Sequence, residues 1–289
     1  MKKAKIEWCD STWNPVTGCL HNCEYCYARK IAERFKGCDK ASTYSTYCQA
    51  TWKRLNPESE LKDALFEIYP KCPPINIRFD AKTQKSIRTR APYPWGFQPT
   101  LHGDKLDAPS QWTKPRTIFV CSMADLFGDW VPDEWIERVF EACEKAPQHR
   151  YLFLTKNPKR YAELAGKEKL PKRENWWYGS TVDNNKALWY PSKFRNNTFV
   201  SIEPLTERLD VSTGSFGTTE PVINGTETGN RKGKVVPEKE WIDTICKVAD
   251  SIHAAVFMKD SLVHIIGEEN MRRELPWEKE VEIECSKSL

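Results

Sequence analysis

The sequence lacks any run of eighteen apolar residues, so no segment is expected to cross a membrane. Its basic first residues are not followed by an apolar stretch, so they do not resemble a signal peptide. A Walker ending and a G-x-G-x-x-G turn are also absent, which argues against the two common nucleotide-binding loops. Eleven scattered cysteines, an odd number, favour a reducing compartment over a disulfide framework. We therefore expect a cytoplasmic protein with free thiols.

Charge is nearly balanced along the chain as a whole but is unevenly distributed. The 289 residues carry a net charge of +4, and 39% hydrophobic residues with twelve tryptophans indicate a globular protein. Lys71 to Arg116 holds nine basic and three acidic residues, and Lys156 to Arg173 holds seven and two. Residues 268–289 reverse this, with seven acidic and four basic. The two basic blocks suit either a phosphate-binding surface or a solvated one, and both interpretations stay open.

The chain has a single C-x2-C pair, and this pair belongs to a loop of three cysteines, Cys19, Cys23 and Cys26. Soft thiolates spaced C-x3-C-x2-C suit an iron–sulfur cluster or zinc. A structural zinc site closes with four protein ligands, normally two separated pairs. Three cysteines on a four-iron cluster would instead leave one iron open to a small molecule. We expect the cluster, with zinc and unliganded thiols as the alternatives.

Short apolar strands alternate with helices from Arg116 onward. This alternation predicts a parallel sheet covered by helices, in about seven β/α units, close to the eight of a closed barrel. A strand over 4–8 and a helix over 24–36 precede it. The later predicted strands are 117–121, 151–155, 177–181, 198–202, 222–225 and 255–258, and the later helices are 132–145, 158–164, 184–194, 237–251 and 261–266.

Residues 38–115 interrupt this alternation. They are basic and rich in proline, with a helix expected over 60–69 and a strand over 75–79. We interpret them as an insertion that shapes a substrate entrance. The predicted domains are therefore a barrel over 1–267, including the 38–115 insertion, and an acidic extension over 268–289.

Polar residues follow the predicted strands, at the end where the active sites of β/α barrels lie. Any one of them is more often structural than catalytic. Asp125, for example, suits either an ammonium ligand or the cap of a short turn. Glu203 suits either a ligand or an ion pair with Lys156 or Lys259. The loop from Gly225 to Gly233 carries Arg231, Lys232 and Lys234 toward substrate or solvent.

Several motifs resemble the radical S-adenosylmethionine superfamily. Tyr25 supplies the aromatic residue of its C-x3-C-x-aromatic-C signature. Ser122-x-x-Asp125, with alanine in place of threonine at 124, resembles the segment by which spore photoproduct lyase-like members bind the amino group of S-adenosylmethionine. The Gly-Gly-Glu of most members is absent. Segments 13–19, 97–102, 122–127, 154–158 and 201–205 are similar to a phage and prophage family of this superfamily, often encoded beside a three-cysteine-motif partner protein.

This resemblance, which runs over most of residues 6–267, implies a partial barrel of six β/α units and a radical enzyme. It implies a [4Fe–4S] cluster on Cys19, Cys23 and Cys26, S-adenosylmethionine as cosubstrate, and an electron donor of the flavodoxin or ferredoxin type. The cosubstrate would be cleaved reductively and hydrogen abstracted from a substrate. Cofactor-binding residues would be Tyr25, Ser122, Asp125, Thr155, Ser180, Glu203 and Thr226, with Lys156 and Lys259 as catalytic residues. Cys121, next to Ser122, is expected to lie in the core.

Two other functions compete with the radical enzyme. One is a nucleic-acid-binding protein with a structural metal site, supported by the basic blocks and by Tyr93, Trp95 and Phe97, which suit stacking on bases. The other is a docking protein with no cofactor. The basic blocks also lead us to expect a nucleic acid or a nucleotide-derived molecule as the substrate of the enzyme.

Overall fold

The computed structural model describes residues 6–36, 66–68, 75–80, 83–188, 196–212 and 221–277. The chain divides into two compact units. Unit 1 comprises Met1–Ser11, Arg116–Ile118 and Arg150–Leu289, and unit 2 comprises Thr12–Pro115 and Phe119–His149.

The described elements are twelve strands and five α-helices, with short 3₁₀ turns between them. The strands are β1 (Ser11–Trp13), β2 (Val16–Thr17), β3 (Phe66–Ile68), β4 (Ile75–Asp80), β5 (Lys85–Arg90), β6 (Thr100–His102), β7 (Thr117–Val120), β8 (Arg150–Thr155), β9 (Trp176–Thr181), β10 (Asn197–Ile202), β11 (Val222–Asn224) and β12 (Val256–Met258). The helices are α1 (Tyr27–Arg34), α2 (Asp133–Glu144), α3 (Lys159–Gly166), α4 (Lys239–Ser251) and α5 (Val263–Ile266).

A sheet of seven strands, in the order β1-β7-β8-β9-β10-β11-β12, is the main architectural feature. From β8 to β12 each strand pairs in parallel with the next. Helices α3 and α4 connect consecutive parallel strands, as the sequence alternation predicted. The prediction of an α/β fold with a parallel sheet is confirmed, and this sheet is compatible with a partial TIM-like barrel.

The parallel sheet of unit 1 is buried on both faces. On one face Val200, Val222 and Val256 pack with Ile242 and Ile245 of α4, whose spacing places them on one side of that helix. On the other face aromatic rings fill the space: Phe199 lies 5.9 Å from Trp8 and 6.2 Å from Trp277 between ring centroids, and Trp177 lies 5.1 Å from Trp277. Alternation along each strand therefore decides which side chains face the helices.

Residues 272–277 take part in this core. Arg273 forms an antiparallel bridge with Phe257, and the side chain of Trp277 is buried. The region predicted as an acidic extension thus begins with a segment that covers the edge strand β12. Residues 278–289 lie outside the described part of the chain.

Unit 2 contains a small sheet in the order β2-β6-β3, a hairpin of β4 and β5, and helix α2. β2 belongs to the strand that leads into the cysteine loop, and it pairs antiparallel with β6. Glu67 on β3 is buried and forms an ion pair of 2.6 Å with Arg138 on α2. The interpretation of 38–115 as an insertion is not confirmed, since β6 pairs with β2, while 38–65 lies outside the described residues.

Three predicted elements differ from the structure. Residues 6–8 of the predicted first strand form a turn in which Cys9 N donates to Ile6 O, and the first strand is Ser11–Trp13. Residues 66–68 of the predicted helix form β3, which pairs in parallel with β6. Residues 184–188 form a turn because Asn184 Oδ1 accepts a hydrogen bond from Lys186 N, which competes with helix formation. The rest of these predicted elements, 4–5, 60–65, 69 and 189–194, lies outside the described residues.

The other predicted strands and helices are confirmed, with ends that match or differ by up to three residues. Of the helices that the structure describes, none combines the length and the apolar character required to span a bilayer.

The Glu67–Arg138 pair yields a stability prediction. The side chain of Glu67 is only 5% exposed, so Arg138→Ala would leave a buried carboxylate without its counter-ion. We expect the free energy of unfolding in urea to fall by about 3 kcal/mol. Lys239→Ala, which breaks the exposed Lys239–Asp243 pair, is the matched control and should change it little. Equal effects would show that Arg138 is not what stabilises this carboxylate.

Candidate functional site

Gly18 begins the cysteine loop, and no other residue fits its position. Its φ is +87°, and an added Cβ would lie 2.2 Å from Gln98 O. Gly18 N donates to Met123 O at 2.9 Å, and Gly18 also forms a parallel bridge with Ala124. The start of the loop is thereby fixed between the 98–99 backbone and the turn that follows β7.

Two of the three motif thiols accept backbone hydrogen bonds. Cys26 is the N-cap of α1, and its Sγ accepts from Arg29 N at 3.4 Å. The Cys19 thiol accepts from the backbone N–H of His21. The pKa of Cys19 is raised to about 12, mainly by burial and in smaller part by the charges of Asp125, Cys23 and Cys26, while the hydrogen bond from His21 opposes the rise. A cation bound beside it would stabilise the Cys19 thiolate at neutral pH.

The chemistry of this donor set fits an iron–sulfur cluster. None of the three sulfurs is part of a disulfide, all three residues are partly exposed, and they lie on one described loop of eight residues. Hydrogen bonds to sulfur also help to set the reduction potential of such clusters in proteins. The ligands are not preassembled, however: in the described ranges no group of three or more His, Cys, Asp or Glu side chains is arranged to hold a metal ion. Binding would therefore require the loop to close around the metal.

Asp125 connects the turn after β7 to the cysteine loop. Its Oδ1 accepts from Phe127 N at 3.0 Å, which is the capping role that the sequence allowed. Its Oδ2 lies 2.7 Å from Nε2 of His21, and the carboxylate is buried. The edge of the His21 ring also contacts Trp130, with ring centroids 4.8 Å apart. Asp125 therefore acts on the loop through His21.

Ser122 contributes to the same turn. Its Oγ donates to Asn14 Oδ1 at 3.2 Å, and Met123 N donates to the same oxygen at 2.9 Å. The Tyr27 hydroxyl donates to Ser122 O at 2.9 Å. Tyr25 is half-buried in the loop. Of the predicted residues in unit 2, the structure thus brings Ser122 and Asp125 together with the cysteine loop.

Sequence reasoning missed His21 and Asn14. His21 lies between Cys19 and Cys23, and Asn14 lies before Pro15 in the segment 13–19 that leads into the cysteine loop. A polar residue between metal-binding cysteines is a usable signal, because second-shell hydrogen bonds orient the ligands. Nothing in the sequence indicated that the partner of His21 would be Asp125, 104 residues further along the chain.

Unit 1 holds a separate group of strand-end residues. Lys259 and Glu203 form an ion pair between the ends of β10 and β12, as the sequence allowed. Gly225, at the end of β11, lies beneath this pair, since an added Cβ would be 3.0 Å from Lys259 Cδ and 3.3 Å from Glu203 Cγ. A side chain at 225 would therefore require the side chains of Lys259 and Glu203 to shift by a few tenths of an ångström.

Lys156 has a different partner. Its Nζ lies 2.7 Å from Asp183 Oδ2, and the same carboxylate accepts from Asn184 Nδ2 through Oδ1. Thr155 and Ser180 are in register with Val200, whose side chain packs against α4, so they share the helix-covered face of the sheet. The structure does not bring Thr155 and Ser180 together with Glu203 and Lys259.

The loop after β11 is ordered by its own contacts. Arg231 makes a bidentate pair with the buried carboxylate of Glu227, at 2.7 Å for each contact. The backbone N–H of Thr226 donates to Ser261 Oγ at 3.1 Å. Arg231 was predicted to face substrate or solvent, and in the structure its partly exposed guanidinium is engaged with Glu227.

The structure also shows where Cys121 and the second basic block lie. Cys121 is buried, as predicted, and burial raises the pKa of its thiol to about 12. The second basic block divides between the two ends of the sheet. Lys156 follows β8, whereas 167–173 follows α3 and precedes β9, at the opposite end of the strands.

Gly18 gives a matched test of the loop. Gly18→Ala carries two costs, a clash with the Gln98 backbone and a left-handed backbone conformation. Gly229→Ala, where φ is +90° and no atom lies within 4 Å of the added Cβ, carries only the cost of the left-handed conformation. The left-handed conformation alone costs about 1–2 kcal/mol. We expect Gly18→Ala to lose more than twice the free energy of unfolding that Gly229→Ala loses, measured by urea denaturation. Equal losses would contradict the close approach of the loop to residue 98.

Comparison with known proteins supplies a family but no activity. No curated protein and no solved structure matches the chain. One family model matches residues 3–263, which is most of the length of the chain. The chain therefore belongs to the family described as protein of unknown function DUF5131.

Proposed function

We propose that the protein is a radical S-adenosylmethionine enzyme. Cys19, Cys23 and Cys26 would hold a [4Fe–4S] cluster, and the protein would abstract hydrogen from a bound substrate. The observation that supports this proposal is the loop itself: it presents three cysteines outside any disulfide, two of them with backbone N–H donors to sulfur, and the motif has no fourth cysteine.

When bound, the cluster would supply one electron for the reductive cleavage of S-adenosylmethionine. The protein's own residues have simpler tasks. Gly18 fixes where the loop starts, Cys26 fixes where α1 starts, and the His21–Asp125 contact holds the middle of the loop against the turn after β7. These contacts restrict the positions that the three sulfurs can occupy.

Asp125 is our candidate for binding the ammonium group of S-adenosylmethionine. Its buried carboxylate would make a charge-assisted hydrogen bond, the strong kind for this purpose. Both of its oxygens already have partners, so the ammonium would share or replace the contact with His21. Ser122 and Tyr25 belong to the same proposed site.

In unit 1, the proposal assigns cosubstrate binding to Glu203 and Thr226 and substrate chemistry to Lys156 and Lys259. Support comes from the strand-end ion pairs, in which a lysine is held by a carboxylate that a ligand can exchange. Thr155 and Ser180 receive less support, because their register turns them toward the helices. We favour a nucleotide-derived substrate over a nucleic acid polymer because most of the second basic block lies at the opposite end of the strands from Lys156.

A structural zinc site in a nucleic-acid-binding protein is the second candidate, and His21 favours it. Three cysteines and one histidine form a common zinc ligand set. Metal-bound histidines usually donate their other ring N–H to a carboxylate, as His21 Nε2 would to Asp125. Metal analysis separates the two candidates.

The cluster assignment predicts metal content. Anaerobically reconstituted protein should carry about four iron and four sulfide ions per chain, with a reduced-cluster EPR signal after dithionite. Alanine at Cys19, Cys23 or Cys26 should remove the iron, because each supplies one ligand. Cys246→Ala, at a half-buried free thiol outside the loop, should not. About one zinc ion per chain, bound in place of iron, would establish the second candidate instead.

Asp125 can be tested separately from the cluster. Asp125→Asn keeps an oxygen that can accept from Phe127 N but removes the charge, so we expect the cluster to stay and the affinity for S-adenosylmethionine to fall. Loss of one hydrogen bond to a charged group weakens binding roughly ten- to hundredfold, measurable by calorimetry.

His21→Ala is the companion variant for this measurement. It removes the contact to Asp125 but keeps the carboxylate. If the two variants weaken binding equally, Asp125 acts only by positioning the loop through His21, and its assignment to the ammonium group is wrong.

A further inference from the structure

Exposed apolar side chains are concentrated on the cysteine loop and α1. Six large hydrophobic residues are exposed in the described part of the chain, and four of them lie here: Leu20, Tyr27, Ile31 and Phe35. Tyr27 is 51% exposed and Phe35 is 50% exposed. The last three are spaced by four residues, which places them in one stripe along the helix. Contiguous exposed apolar surface on a folded protein marks an interaction site.

The edge of this stripe is basic. Lys30 and Arg34 are exposed and stand one position before Ile31 and Phe35, and the guanidinium of Arg34 lies 5.3 Å from the centre of the Phe35 ring. Glu33, the acidic residue of α1, is engaged by Phe97 N at 3.1 Å and by Lys36 at 3.8 Å. The surface therefore suits a partner with an apolar centre and an acidic rim.

This apolar stripe is continuous with the candidate cluster site. Cys26 caps α1, so the stripe begins one residue after the third motif cysteine, and Leu20 follows the first. A protein bound along Tyr27, Ile31 and Phe35 would lie against the helix that starts at the cluster loop. Electron transfer between proteins requires such proximity between the two redox centres.

We propose that the stripe of Tyr27, Ile31 and Phe35, together with Leu20 on the loop and with Lys30 and Arg34 at its edge, is the docking surface for a small acidic electron-transfer protein. This inference rests on the proposed function. The donor is oxidised by one electron and the cluster is reduced by one, with no bond made or broken and no proton moved. Attraction between opposite charges would speed encounter, so the reaction should slow as salt is added.

The test compares two reductants on reconstituted full-length protein. Bleaching of the cluster absorbance is followed after mixing with reduced [2Fe–2S] ferredoxin or with dithionite, which needs no docking surface. Ile31→Glu, Phe35→Glu and Arg34→Glu keep residues that tolerate a helix, so α1 should persist. Leu188→Glu and Val236→Glu, at the other two exposed apolar positions, are the matched controls.

We expect the α1 variants to be reduced by ferredoxin about tenfold more slowly, the effect of losing one good interface contact. Their reduction by dithionite should be unchanged, and the controls should match the wild type with both reductants. Ferredoxin reduction that is equally fast in the α1 variants and the controls would overturn the docking surface. So would a lower melting temperature for Phe35→Glu alone, because it would show that the chain itself covers this stripe.

The result also separates the docking surface from the proposed function. If the wild type takes up no iron, the enzyme proposal fails before any docking is measured. If it takes up iron and dithionite reduces it, only the docking surface is in question.

Discussion

The close approach of Gly18 to the 98–99 backbone is the constraint on which the rest of the candidate site depends. Only a residue without Cβ fits there, and only one that tolerates a positive φ. From this point the loop runs through Cys19, His21 and Cys23 to Cys26, which caps α1. The loop therefore has two fixed ends, and the pair of His21 and Asp125 holds it between them.

That arrangement explains how a loop without regular secondary structure can present three thiols. The backbone supplies hydrogen bonds to two sulfurs, and the turn after β7 supplies the buried carboxylate. The same carboxylate is the candidate for holding the cosubstrate. Binding at Asp125 and order in the cysteine loop would therefore be coupled through His21. A change in the order of the loop should then alter the affinity at Asp125, and binding at Asp125 should alter the order of the loop.

Patterns that depend on local sequence were predicted well. The parallel strands from 151 onward were found because they are buried on both faces and read as apolar runs, and α2 and α4 because their apolar residues fall on one side. The predictions for residues 6–8 of the first strand and 184–188 of a helix were wrong because side chains and backbone make turns there, as Asn184 does. Burial of Glu67 on a strand depends on Arg138, which no local pattern reveals.

The candidate site divides in the same way. From the sequence, the turn of Ser122 and Asp125 could be singled out, and the pair of Glu203 with Lys259 could be named as one of two alternatives. The roles of His21 and Asn14 could not, because each depends on a contact about a hundred residues away along the chain. The faces of Thr155 and Ser180 depend on strand register, which polar composition at strand ends does not give.

Analysis of the reaction products decides whether the cysteine loop supports radical chemistry. The reconstituted protein is reduced anaerobically in the presence of S-adenosylmethionine, and the products are analysed by mass spectrometry beside a Cys23→Ala variant. The account predicts 5′-deoxyadenosine and methionine from the wild type and neither from the variant. A wild type that binds iron and is reduced, yet forms no 5′-deoxyadenosine, would contradict it.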